Sequence, residues 1–283
     1  MDNSILTAHR GLTLATPQIE NTVEAVQAAI NNPAVGAIEI DIQLTKDGVF
    51  VLNNYKTLQN IVTLKDPSRQ TIADYTYAEL CQLSFTPNMS EIKEIIESNA
   101  EAYGPHAEEV LIWCRNIITK QSRISTLNDV LALDRKGKPL FIEIKTAYRE
   151  DQKAEINDYV RKLIAVCKGH KDIMFIGRDI NTLEALKTER QDVPIMPVIG
   201  WTGIEMATHD VDGISAAWDA LEKTVPGTSK QLGELILDKG MGLSIWNILL
   251  QKEYDAIPDY VKQSTGAYLT GNFPELIGEY QKK

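Results

Sequence analysis

Short apolar runs alternate along the chain with segments whose apolar residues recur at helical spacing. Ile5-Leu6-Thr7-Ala8 reads as a first strand, closed by His9-Arg10-Gly11. Glu20 to Ile30 carries Val23, Val26, Ala29 and Ile30 on one helical face, and Asn31-Asn32-Pro33 stops it. Ala37 to Ile42 reads as a buried strand. Its Ile38, Ile40 and Ile42 point one way, and Glu39 and Asp41 the other. Thr45-Lys46-Asp47-Gly48 is a turn, and Val49 to Leu52 is a further apolar run that ends at Asn53-Asn54-Tyr55.

Residues from about 59 to 122 break this rhythm. Lys65-Asp66-Pro67-Ser68 is turn-like, and Glu91 to Ala102 and Glu108 to Thr119 look like helices with charged outer faces. The stretch is expected to be a mostly helical insertion after the second βα region, serving as a lid over a site, with a dimer contact as the rival role. Alternation then resumes. Thr126 to Leu133 is a helix capped by Ser125, Pro139 to Ile144 a strand, Ala154 to Cys167 a helix and Ile173 to Ile176 a strand. Asn181 to Arg190, Ser229 to Lys239, Tyr254 to Gln263 and Pro274 to Gln281 read as helices. Strands are expected at Pro194 to Ile199, within Val211 to Trp218, at Leu243 to Asn247 and at Tyr268 to Thr270. About eight βα units in roughly 250 residues predict an α/β fold of the TIM (β/α)8 type. Residues 1–283 would then form one domain. A doubly wound sheet is the runner-up, but it wants a glycine-rich turn after the first strand, where only Gly11 stands.

Active sites of such barrels collect at the C-terminal ends of the strands. Those ends hold His9 and Arg10, Glu39 and Asp41, Asn54, Glu143 and Lys145, and Trp246. Paired acids on one strand face repel and are costly to bury without a cation. Glu39, Asp41 and Glu143 together suit Ca²⁺ or Mg²⁺. Arg10 and Lys145 suit an anionic, phosphoryl substrate. His9 has the chemistry of a base, acid or nucleophile, and Trp246, ending a strand, is expected to line the pocket. Other titratable groups have blander readings. His209 and His106 read as solvated loop and insertion residues, although His209-Asp210 in a rim loop would be a substitute histidine. Tyr55 would donate a proton only with a lowered pKa.

Composition narrows the partners. The 283 residues are 43% hydrophobic and 24% charged, as in an ordinary globular core. A net charge of −10 argues against nucleic acid but leaves a phosphorylated small molecule open. Met1-Asp2-Asn3-Ser4 is no basic leader, and no apolar run is long enough to span a membrane. Cys81, Cys114 and Cys167 are widely spaced and fit reduced thiols in a cytoplasmic protein.

These motifs, taken together, resemble the glycerophosphodiester phosphodiesterase family. The resemblance rests on Ala8-His9-Arg10-Gly11, Glu20-Asn21-Thr22 and Glu39-Ile40-Asp41 through to Thr45-Lys46-Asp47-Gly48. It continues in Ser125-Thr126-Leu127, Phe141-Ile142-Glu143-Ile144-Lys145, Ser244-Ile245-Trp246-Asn247 and Leu269-Thr270-Gly271-Asn272-Phe273-Pro274. It covers nearly the whole chain, and the segment 59–122 falls where the family carries its insertion. The resemblance implies a TIM barrel of lipid metabolism that hydrolyses glycerophosphodiesters to an alcohol and glycerol 3-phosphate with a divalent metal. It implies that Glu39, Asp41 and Glu143 hold the metal, that His9 is catalytic, and that Arg10 and Lys145 contact phosphate. The chain departs from the pattern in places. The family's second histidine and following aspartate read Asn54 and Tyr55, the proline before Glu20 is Ile19, and Gly271-Asn272 stand where an acid is frequent. Asn54 donates a hydrogen bond but shuttles no proton, so a slow hydrolase and a non-catalytic phosphate-ester-binding barrel both follow.

Overall fold

The computed structural model describes residues 4–99, 102–146, 152–264 and 266–282. Parallel strands β1 (Ile5–Ala8), β2 (Ala37–Leu44), β4 (Leu140–Ile144), β5 (Ile173–Gly177), β6 (Ile195–Ile199), β7 (Gly213–Ala217), β8 (Gly242–Trp246) and β9 (Tyr268–Gly271) make the wall. β1 pairs with both β2 and β9, which closes the sheet into a TIM barrel. The doubly wound alternative is thereby excluded. Ile38, Ile40 and Ile42 are wholly buried in the layer between strands and helices, while Phe141, Ile176, Met196 and Val198 form a separate cluster inside the barrel. Among the described residues no helix is long and apolar enough to cross a membrane.

Helices α1 (Val23–Asn31), α6 (Lys153–Val166), α7 (Ile180–Glu189), α8 (Leu232–Asp238) and α11 (Pro274–Tyr280) fall where the periodicity places them. Three local readings change. β3 (Phe50–Leu52) is no barrel strand: it returns antiparallel on β2, pairing Leu52 with Ile42. The turn at Gly48 is too short for a parallel crossover, which needs about a dozen residues. The cap of α5 (Leu127–Leu131) is Thr126 rather than Ser125, because Thr126 stands three residues before Asp129 and completes a capping box. Ser125 instead accepts a hydrogen bond from the Val23 amide at the start of α1. The single helix expected over Tyr254 to Gln263 is split into α9 (Gln251–Asp255) and α10 (Asp259–Lys262) around Pro258, which cannot continue the hydrogen-bond ladder.

The insertion contains α2 (Tyr77–Leu80), α3 (Met89–Asn99) and α4 (Ala107–Ile117). The amphipathic face of α4 is sewn into the barrel's own core. Trp113 is 4% exposed, donates its indole N–H to the Thr13 carbonyl at 3.0 Å, and packs edge-on against Phe273. α4 of the insertion thus packs beside the first and last strand ends. Trp113→Ala is expected to lower unfolding free energy by about 3–5 kcal/mol in chemical denaturation, the usual loss for a buried aromatic.

Candidate active site

Register builds the acidic centre. Asp41 on β2 lies directly beside Glu143 on β4. Two-residue alternation then sends Glu39, Asp41, Glu143 and Lys145 toward the barrel axis, the opposite parity to the isoleucines buried outside it. One oxygen each from Glu39, Asp41 and Glu143 lies within 4.8 Å of the others. Lys145 Nζ bridges two of them, at 2.8 Å from Asp41 Oδ1 and 2.7 Å from Glu143 Oε1. Burial raises the pKa of Glu39, and Asp41 and Glu143 raise it further. Burial also raises that of Glu143, with Lys145 partly offsetting it. Asp41 goes the other way: burial disfavours its charge, but Lys145 and Arg10 outweigh that and hold it below the usual carboxylate range. The cluster fits a hard divalent cation. Among the described residues Glu39 Oε1 is buried without a hydrogen-bond partner, and carboxylate oxygens are the donors such ions take.

The Glu20-Asn21-Thr22 triplet organises the rest. Thr22 caps α1 by accepting from the Ala25 amide. Asn21 clamps Asp41 from both sides, donating Nδ2 to Oδ2 at 2.8 Å and accepting the Asp41 amide at 2.9 Å. Glu20 takes Arg10 Nη1 at 2.8 Å. Arg10 itself adopts a left-handed backbone, φ 54°, which aims its amide at Glu39 Oε2, 2.9 Å away. Its guanidinium also meets Asp41 at 3.4 Å and Glu91 of the insertion at 3.6 Å. Arg10 lines the cavity, yet its charge is shared among three carboxylates.

His9 Nδ1 lies 2.6 Å from Asn272 Oδ1. That oxygen only accepts, so Nδ1 carries the proton and Nε2 is left as the acceptor, 4.0 Å from Glu39 Oε2. Burial, then the charge of Arg10, pushes the imidazole pKa down to about 3, so the ring is neutral near pH 7. Asn272 was visible in the sequence only as a departure from the family pattern. Its role as the brace of His9 spans the two ends of the chain.

His9, Arg10, Glu39, Asn54, Glu143, Lys145 and Trp246 surround one cavity of about 220 Å³. Its deeper wall carries the hydroxyls of Ser215, Ser244 and Thr270. Trp246 lines it as expected, with its indole N–H donated to the Ser215 carbonyl at 3.1 Å. Arg178, just beyond β5, also lines it and lies 5.4 Å over the Trp246 ring. It was missed because a lone arginine after a strand has no partner spacing to betray it. Tyr55 leans away from the cavity, against Arg10. Burial, reinforced by Glu20, raises its pKa, which makes it a poorer acid than a free phenol. His209 is not at the rim. It follows the short helical turn Ile204–Thr208 toward the start of β7, where Nδ1 meets Glu184 at 2.7 Å. His106 pairs with Glu109 on the insertion. Neither lines the cavity.

Solved structures share this architecture. A glycerophosphodiester phosphodiesterase of Parabacteroides distasonis superposes with a TM-score of 0.68 at 17% identity, covering 99% of this chain and 96% of that one. An Oleispira antarctica phosphodiesterase, solved in complex with sn-glycerol-3-phosphate, gives 0.66 at 17% identity over 99% and 97%. A glycerophosphodiester phosphodiesterase of Thermotoga maritima gives 0.59 at 18% identity over 99% and 98%. No curated protein sequence matches significantly. The model of the glycerophosphoryl diester phosphodiesterase family matches residues 9–254, so the barrel with His9 and its acidic cluster at the strand ends belongs to that family.

Proposed function

We propose that this protein hydrolyses glycerophosphodiesters to an alcohol and glycerol 3-phosphate, with Glu39, Asp41 and Glu143 holding Ca²⁺ or Mg²⁺. The observation that carries the reading is His9, braced by Asn272 with Nε2 free, at the edge of a buried three-carboxylate cluster. The ion would offset negative charge on the phosphodiester oxygens. His9 Nε2 takes the proton of the attacking hydroxyl, from water or from the glycerol itself. Lys145 keeps its charge, since Asp41 and Glu143 raise its pKa against the opposing effect of burial, and it adds positive potential at the phosphate. Trp246 forms an apolar wall for the bound ester.

A second reading is a barrel that binds a phosphate ester without turning it over. Asn54 favours it. Among the described residues that line the cavity, His9 is the only imidazole, and Lys145 is held charged. Release of glycerol 3-phosphate by metal-replete protein, lost on chelation, separates the two. Absence of turnover with every diester offered would leave the binding reading.

The metal makes its own prediction. Ca²⁺ or Mg²⁺ is expected to raise the melting temperature, because a ligand selective for the folded state stabilises it. Glu39→Gln/Asp41→Asn should abolish that rise in a thermal shift assay. An undiminished rise in the double variant would place the ion elsewhere.

A further inference from the structure

We propose that Arg178 makes this site selective for glycerophosphodiesters whose alcohol carries an anionic group, and turns away those whose alcohol is a quaternary ammonium. The inference deepens the proposed hydrolase reading and takes its substrate class from the cavity's charges. Three cations border that cavity. Arg10 is paired with Glu20, Asp41 and Glu91, and Lys145 with Asp41 and Glu143. Among the described residues Arg178 has no carboxylate in ion-pair contact; its close partner is the Trp246 ring. Among the described residues its charge is therefore the one of the three not taken by an ion pair, although it reaches Glu143 through space.

Position supports the assignment. The carboxylates come from β2 and β4, whereas Arg178 follows β5, and Trp246 ends β8. Gly200, at the end of β6, borders both side chains: a Cβ there would stand 3.4 Å from the Trp246 ring and 3.7 Å from Arg178 Nη1. A diester whose phosphorus sits beside His9 and Lys145 has its alcohol within reach of Arg178, since β5 is the hydrogen-bonded neighbour of β4, and of Trp246, which lines the same cavity. A quaternary ammonium seeks an exposed aromatic face. Here that face is already covered by a guanidinium, and the like charge repels the newcomer. A phosphate or carboxylate on the alcohol instead meets five N–H donors in a planar fork.

The test compares two ligands that share the glycerophosphodiester unit: glycerophosphoinositol 4-phosphate and glycerophosphocholine. Affinities are measured by calorimetry with Ca²⁺ present, in a His9→Ala background that keeps both ligands intact. The phosphorylated ligand should bind at least tenfold more tightly. Arg178→Gln should reduce that ratio by about tenfold, the scale of one charge-assisted hydrogen bond, and Arg178→Glu should invert it. Circular dichroism of each variant reports folding. An unchanged ratio in Arg178→Gln overturns the proposal. So does an equal loss for both ligands, which would make Arg178 a ligand of the shared diester, and so does failure of the phosphorylated ligand to bind. Absence of hydrolysis in the wild-type protein with the binding ratio intact overturns the hydrolase reading and leaves the selectivity standing.

Discussion

Asn54→His is expected to raise the hydrolysis rate of an alkyl glycerophosphodiester by up to ~10²–10⁴, the range of a well-placed general acid. Rates with a nitrophenyl diester should rise far less. The difference lies in the leaving group. An alkoxide needs a proton as the P–O bond breaks, whereas a nitrophenolate departs without one. The geometry permits the change. Asn54 lines the cavity that also holds His9, and Tyr55, which follows it, leans toward Arg10 rather than across the opening. Replacing Tyr55 by Asp as well, to rebuild the family pair, would add a further acid where Glu20 and Glu91 already face Arg10. The single substitution is therefore the cleaner experiment. Glycerophosphoinositol is the better alkyl probe, because Arg178 is expected to disfavour choline for an unrelated reason. Wild-type turnover of that probe at ordinary rates of ~1–10³ s⁻¹ would mean that another group already supplies the proton.

His9→Ala is expected to lower kcat by ~10²–10⁴ with both alkyl and aryl diesters, since the base acts before the leaving group matters. Asn272→Leu should give a smaller loss confined to kcat, because it frees the ring without removing it. If instead His9→Ala raised KM alone, the imidazole would be a binding contact, and the attacking hydroxyl would need another base. The same variant should leave the metal-dependent rise in melting temperature in place, as His9 is not among the three carboxylates that gather for the ion.

The sequence by itself determined the barrel, because each strand and helix carries its own period of apolar residues, and period is a local property. It also determined which acids point inward. Glu39, Asp41, Glu143 and Lys145 take opposite parity to the buried isoleucines of β2 and β4, and parity survives whatever the strands pair with. The Glu20-Asn21-Thr22 triplet was legible as a motif, but its three tasks were not. Two of those depend on Arg10 and Asp41 being brought to it by closure of the sheet, while the third, the Thr22 cap on the Ala25 amide, is local.

Only the tertiary structure decided the rest. It turned β3 back as a hairpin, because the short turn at Gly48 lies between two runs that look equally strand-like. It carried His209 away from the rim, since the short Ile204–Thr208 turn ends on the far side of the strands and no composition reveals which side a loop residue reaches. It joined Asn272 to His9 across the chain's ends and placed Arg178 over Trp246. It also shared the charge of Arg10 among Glu20, Asp41 and Glu91, from three separate segments. Electrostatic partners fall off with distance in space and carry no period in the sequence. The carboxylate cluster could therefore be read from parity, while the charge left over for a ligand could be read only once the barrel had closed.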